Sequence, residues 1–301
     1  MSAQHRPGGI VVGVDGSPSS SVAVEWAARD AQMRGVALKI VHVVEPMVTA
    51  VEGWSADYAQ AQQAWAHEIV EQAHKLAVEA SSPDRAERVA SEVLHAPIIP
   101  TLVEMSKESD MVVVGCRGRG AVANALLGSV SSALVRYAHC PVAVIHDDDP
   151  LTTRSPQAPV VVGVDGSPTS ELATEIAFDE ASRRGVGLVA LHAWSDMGPL
   201  DFPSVNWAPI EWRNIKDQEE VVLAERLCGW QERYPDVVVH RVVVNDRPAP
   251  RLLEQAESAQ LVVVGSHGRG GFPGMLLGSV SRAVVNSARI PVIVARLPRR
   301  P

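Results

Sequence analysis

Ile10-Val-Val-Gly-Val-Asp-Gly-Ser-Pro18 recurs 150 residues further on as Val160-Val-Val-Gly-Val-Asp-Gly-Ser-Pro168. The same offset lays His42 on His192, Val112-Val-Val-Gly115 on Val262-Val-Val-Gly265, Leu126-Leu-Gly-Ser-Val-Ser131 on Leu276-Leu-Gly-Ser-Val-Ser281, and Pro141-Val on Pro291-Val. A period this long is a duplicated globular domain and not a solenoid unit. Between the copies, Asp147 to Pro159 is polar and carries three prolines, the composition of a surface linker. The expected organisation is a first domain over residues 1–147, a linker over 148–158 and a second domain over 159–301.

Working outward from the repeat, short valine-rich runs alternate with stretches of helical period. Val11 to Val14, Leu38 to Val43, Met111 to Val114 and Val142 to Ile145 are continuous apolar runs, as strands covered on both faces require, and a further strand is expected near Arg88 to Leu94. Between them Ala23, Trp26, Ala27 and Ala31 recur at helical spacing, as do Ala61, Trp65, Ile69 and Leu76, and then Val130, Leu134 and Ala138. Strand and helix alternate, and right-handed crossovers turn that alternation into a doubly wound parallel α/β sheet, Rossmann-like, once per copy.

Composition narrows the function classes. The 301 residues carry a net charge of −8, with 46% hydrophobic and 21% charged residues, a soluble globular balance. The acidic charge and the lack of a Lys/Arg block argue against duplex nucleic acid and anionic membranes as partners. Three cysteines, Cys116, Cys140 and Cys228, form no C-x-x-C pair and read as free thiols in a reducing compartment. Met1 to Gly9 has no apolar core, and no run of 18 apolar residues occurs, so a cytoplasmic location is expected.

In an open parallel sheet ligands bind beyond the carboxyl ends of the strands where the strand order reverses. After the first strand come Gly13-Val14-Asp15-Gly-Ser-Pro18 and Gly163-Val164-Asp165-Gly-Ser-Pro168. Ser17 followed by Pro18 predicts an N-cap with proline at the first helical position. Asp15 is left to accept from a ribose hydroxyl or an adenine amine, or to close an Asx-type turn.

After the fourth strand both copies read G-x2-G-x9-G-S: Gly115, Gly118, Gly128 and Ser129 in the first, Gly265, Gly268, Gly278 and Ser279 in the second. Glycines let backbone amides approach an anion, and Gly-Ser opening a helix adds free amides, a hydroxyl and the positive end of the dipole. The spacing predicts a phosphate cradle, with plain turns as the alternative. It is neither a Walker A loop nor G-x-G-x-x-G.

These features together resemble the universal stress protein family in its tandem two-domain form, from about Ile10 to Arg296. The resemblance implies five strands per domain in the order 3-2-1-4-5, ATP (with Mg2+) in the crevice of members that keep the signature, and pairing of domains through their fifth strands. It implies that Asp15 and Asp165 contact the nucleoside, that the backbone at Val43 and Ala193 meets adenine, and that the signature glycines with Ser129 and Ser279 hold ribose and phosphates. The flanking positions Gly13, Val14, Arg117, Arg119 and Val130, with Gly163, Val164, His267, Arg269 and Val280, complete the candidate ATP-binding sets. Arg117 opposite His267, Cys116 opposite Ser266, and Ala121-Val-Ala-Asn where the second copy has Gly271 are the departures.

Other conspicuous residues have plainer readings. His42 and His192 lack a second ligand at metal spacing and are expected to be hydrogen-bonded core histidines. Cys116 is expected to be a structural thiol, with redox activity as the alternative. Trp194, Trp207 and Trp212 crowd the segment from Ser195 to Pro209, a lid or a packing surface.

The expected function is an ATP-binding stress-response regulator acting through its conformation or a protein partner, with a homodimer as a further assembly. No Walker lysine and no kinase-like H-R-D or D-F-G occurs, so no catalytic residue is assigned and hydrolysis is expected to be slow at most. A slow ATPase or phosphotransferase, and a nucleotide-free interaction protein, are the alternatives.

Overall fold

The computed structural model describes residues 8–46, 56–82, 87–118, 127–146, 155–194, 209–270 and 276–297. The chain divides between Thr153 and Arg154 into two compact units, with Arg296 counted to the first.

In the first unit the elements are β1 (Ile10–Gly13), α1 (Pro18–Arg34), β2 (Leu38–Val44), α2 (Ala56–Ala80), β3 (Val89–His95), α3 (Ile98–Met105), β4 (Met111–Gly115), α4 (Ser129–Tyr137) and β5 (Val142–Ile145). The strands pair in parallel in the order β3-β2-β1-β4-β5. β1 is central, with Val12 opposite Ile40 of β2 on one side and Val113 of β4 on the other. The second unit repeats the plan with β6 (Val160–Gly163), α5 (Pro168–Arg184), β7 (Leu188–Ala193), α6 (Pro209–Arg233), β8 (Val239–Val244), α7 (Pro248–Ala256), β9 (Leu261–Gly265), α8 (Ser279–Ser287) and β10 (Val292–Ala295), in the order β8-β7-β6-β9-β10. This is the doubly wound α/β plan expected from the alternation of strands and helices.

The valine runs are buried because both sheet faces are covered. Val12, Ile40, Val41, Val112, Val113 and all of β5 are shielded from solvent, with α1 packed on α2 and α3 on α4. Ser17 caps α1 by accepting the Ser20 N–H, Pro18 fills the first turn, and Gly35 ends the helix at φ 71°. Inside α1, Asp30 is fully buried and paired with Arg34 at 2.7 Å, and Glu180 and Arg184 repeat the pair in α5 at 2.7 Å.

The helical period of α2 is present, but its inward face differs from the expected stripe. Ala66, Ile69, Val70, Ala73 and Ala77 are buried, whereas Ala61 is exposed and Trp65 is 39% exposed. Small alanines fit against the sheet, and the large indole stands outside that contact. Among the described residues no helix is long and apolar enough to cross a membrane.

Candidate functional site

β1 stops at Gly13 opposite Val41, while β2 runs on to Val44, which opens a crevice beside the end of β1. The Val41 carbonyl accepts the Val14 N–H at 2.9 Å, so Val41 faces β1. Strand residues alternate, and Val43 therefore turns its N–H and C=O the same way, into the crevice. The Leu191 carbonyl accepts the Val164 N–H at 2.8 Å, and Ala193 is oriented likewise in the second domain.

The chain leaves β1 through Asp15 and a tight turn at Gly16, whose φ of 75° favours glycine. Oδ1 of Asp15 accepts the Ser17 N–H at 3.0 Å and the Ser17 hydroxyl at 2.6 Å, which is the Asx turn. In the second domain Oδ1 of Asp165 accepts the Ser167 N–H at 2.9 Å, and Oδ2 accepts the Arg269 N–H at 3.1 Å. A Cβ on Gly118 would lie 2.5 Å from Asp15 Oδ2, and one on Gly268 would lie 2.5 Å from Asp165 Oδ2. The aspartate thus closes its turn and also lies against the loop after the fourth strand.

That loop is pinned from the other side by helix α1. The Arg117 carbonyl accepts the Ser19 hydroxyl, and its counterpart at His267 accepts that of Thr169 at 2.5 Å. The first signature glycine is required by this packing: a Cβ on Gly115 would lie 2.8 Å from the Ser19 carbonyl carbon, and one on Gly265 would lie 2.9 Å from that of Thr169. Gly115 and Gly265 therefore answer to a helix as well as to any anion.

The third glycine opens the next helix. Gly128 is the N-cap of α4; its N–H is held by the Cys116 carbonyl at 2.8 Å, and no side chain caps the helix. Gly278 does the same for α8, bonded to the Ser266 carbonyl at 2.8 Å. The first-turn amides of Ser129 and Val130, and of Ser279 and Val280, are the donors that a helix start leaves without intrahelical partners. Ser131 turns its hydroxyl back to the Cys116 carbonyl at 3.0 Å, so it braces the loop.

These parts surround one cavity per domain. The first, about 710 Å³, is lined by Gly13, Val14, Asp15, Val43, Gly115, Arg117, Gly118, Gly128, Ser129 and Val130 together with Trp65 and Gln62 of α2. The second, about 470 Å³, is lined by Gly163, Val164, Asp165, Ala193, Gly265, His267, Gly268, Arg269, Gly278, Ser279 and Val280 together with Trp194 and Glu219. Both volumes suit a ligand of nucleotide size. Arg119, residues 121–124, Gly271, the segment 195–208 with Trp207, and the side chain of Trp212 lie outside the described residues.

His42 and His192 are buried, and each Nδ1–H donates to the carbonyl at the end of its first strand, Val14 at 2.7 Å and Val164 at 2.6 Å. Their other edges meet different neighbours. The His42 ring lies 5.6 Å from that of Trp65 at 83°, whereas His192 Nε2 lies 3.1 Å from Glu219 Oε2. Sequence analysis did not assign Trp65 or Glu219 to the cavities: the indole reads as one more apolar position of a helix, and Glu219 is one of several charges in α6. Cys116 is buried beside the loop.

Compared with known proteins, residues 9–146 and 158–296 each match the model of the Universal stress protein family. A universal stress protein of Mycobacterium tuberculosis is 68% identical over 314 residues, covering 100% of this chain and 99% of that one. Another from the same organism is 54% identical over 301 residues, covering 98% and 99%. Among solved structures, a universal stress protein from Archaeoglobus fulgidus superposes with a TM-score of 0.67 at 20% identity, covering 97% of this chain and 99% of that one, which is a likeness of fold.

Proposed function

The chain belongs to the universal stress protein family, with two of the family's domains in tandem, and from that premise we propose that it is a cytoplasmic ATP-binding stress-response regulator with one nucleotide site in each domain. The observation that carries this reading is the convergence, around one cavity per domain, of the crevice beside the first strand and an uncapped helix start. Anions favour such a helix end because its amides and its dipole point the same way. In this reading Val43 and Ala193 offer backbone groups to the base, and Asp15 and Asp165 face the ribose. Gly118, Gly128, Ser129 and Val130, with Gly268, Gly278, Ser279 and Val280, hold the phosphates. Arg117, His267 and Arg269 stand near them, and Arg119, outside the described residues, is assigned with them from its place in the loop sequence.

The residues present fit ATP in size and in donor pattern. They offer Mg2+ less: among the described residues no three His, Cys, Asp or Glu side chains gather as a cage, so the ion would be held by phosphate oxygens and water. The described lining residues include no lysine. Binding, which shifts conformation or a partner surface, is therefore the proposed activity, and turnover is slow at most. Isothermal titration of ATP into nucleotide-stripped protein should saturate near two per chain. No binding by a folded chain would overturn the reading, and mass spectrometry of whatever denaturation releases from fresh protein would identify a co-purified ligand.

A further inference from the structure

The two cavities share their phosphate end but differ at the other. In the second, Glu219 is pinned: Oε2 accepts from His192 Nε2–H at 3.1 Å when both ring nitrogens carry a proton, the Nδ1–H being given to the Val164 carbonyl at 2.6 Å. The carboxylate makes no other hydrogen bond among the described residues, its side chain is 30% exposed and Glu219 lines the cavity, so Oε1 stays available as an acceptor. The start of α8 lines the same cavity. The cavity thus offers amide donors and a positive dipole at α8 and a held carboxylate acceptor at Glu219. A phosphate is drawn to α8, and the group that reaches the Glu219 carboxylate has to donate.

Among the described residues the first cavity carries no pinned carboxylate there. Trp65, edge-on to His42 at 5.6 Å and 39% exposed, presents an aromatic surface beside Gln62. Glu45 also lines this cavity, but it is exposed and held by no hydrogen bond among the described residues. Stacking on an indole accepts any base, because every base has a π face.

Resting on the nucleotide reading above, we infer that Glu219 is a specificity-determining residue which makes the second site select a base bearing an exocyclic amine at its six position, while Trp65 makes the first site tolerant of the base. Adenine donates to the carboxylate. Hypoxanthine carries a carbonyl oxygen in place of that amine and a proton on N1, so at the six position it sets an acceptor against an acceptor, and a site built around one hydrogen-bonding pattern rejects the mismatched partner strongly.

The test is titration of the intact, nucleotide-stripped chain with ATP and with ITP. ATP should fill two sites. ITP should fill one with similar affinity and the other at least about tenfold more weakly, a difference of about 1.4 kcal/mol. Glu219→Gln, whose amide can accept or donate, should bring the second ITP to within about threefold of the first. Trp65→Ala should weaken ATP and ITP alike at the first site and leave their ratio unchanged. Equal discrimination at both sites would show the backbone at Val43 and Ala193 to be selecting the base, and would overturn this inference, as would an unchanged ITP/ATP ratio in Glu219→Gln. Neither outcome touches the nucleotide reading. Failure of the folded chain to bind either nucleotide would overturn both.

Discussion

Oδ2 of Asp165 accepts the backbone N–H of Arg269 at 3.1 Å while Oδ1 accepts that of Ser167, so one carboxylate joins the turn after β6 to the glycine loop after β9. Hydrogen bonds to a charged acceptor contribute about 1.5–3 kcal/mol, less where water reaches them. Asp165→Ala should lower unfolding stability by about that much and weaken ATP at the second site while sparing the first. Urea unfolding with two-site titration checks both. A stability loss with unaltered binding would reduce Asp165 to its Asx turn.

The glycines of the signature should separate by what crowds them. A Cβ on Gly115 meets Ser19 backbone at 2.8 Å, which cannot swing away, so Gly115→Ala should cost about 1–3 kcal/mol of stability. At Gly118 the only atom under 3 Å among the described residues is Asp15 Oδ2, the end of a side chain. Gly118→Ala should leave stability nearly intact and reduce ATP stoichiometry from two toward one. Thermal unfolding of both variants beside their titrations decides this, and equal stability losses would contradict it.

Arg34 and Asp30 form a pair whose carboxylate is fully buried. Removing the cation alone takes an ion-pair partner from a buried carboxylate, at a cost of about 3–5 kcal/mol, while replacing both partners by apolar residues costs far less. Arg34→Met should therefore be much less stable than Arg34→Met with Asp30→Leu. Denaturant unfolding of the two variants is the measurement, and similar stabilities would show that Asp30 is held by other groups.

Turnover should be slow at both sites. Asp15 and Asp165 are engaged by N–H groups, and the described lining offers no lysine clamp. Phosphate release should stay well below about 1 s⁻¹, the lower edge of ordinary enzyme rates. Steady multiple turnover above that rate would make the chain an enzyme.

Much of this architecture is legible in the residues, for identifiable reasons. Strands buried on both faces are continuous valine-rich apolar runs, so β1, β4 and β5 announce themselves. The duplication doubles each weak signal. The inward face of α2 is not legible, because alanine carries little hydrophobic weight and Trp65 marks the wrong side. At Gly115 the sequence states that something comes close but not what, and the structure puts Ser19 of α1 there. Glu219 is invisible among the charges of α6 until the fold sets it 3.1 Å from His192.

The three cysteines should differ in reactivity and in their effect on stability. Cys228 is exposed, whereas Cys116 and Cys140 are buried, so native alkylation should label Cys228 and reach the other two only on unfolding. Burial pushes the Cys140 thiol from 9.0 up to about 12, because the thiolate loses its solvation there. The folded state therefore holds this proton more tightly than the unfolded chain does. That part of the stability is fully present below pH 9 and is lost as pH rises from 9 toward 12, by at most about 1.4 kcal/mol per pH unit. Cys140→Ala removes the titrating group and leaves a small void at every pH. Its deficit against the parent chain should shrink by about 1 kcal/mol between pH 8 and roughly pH 10 in urea unfolding, since other alkaline titrations cancel in the difference. A deficit independent of pH would show that Cys140 titrates alike in the folded and unfolded states.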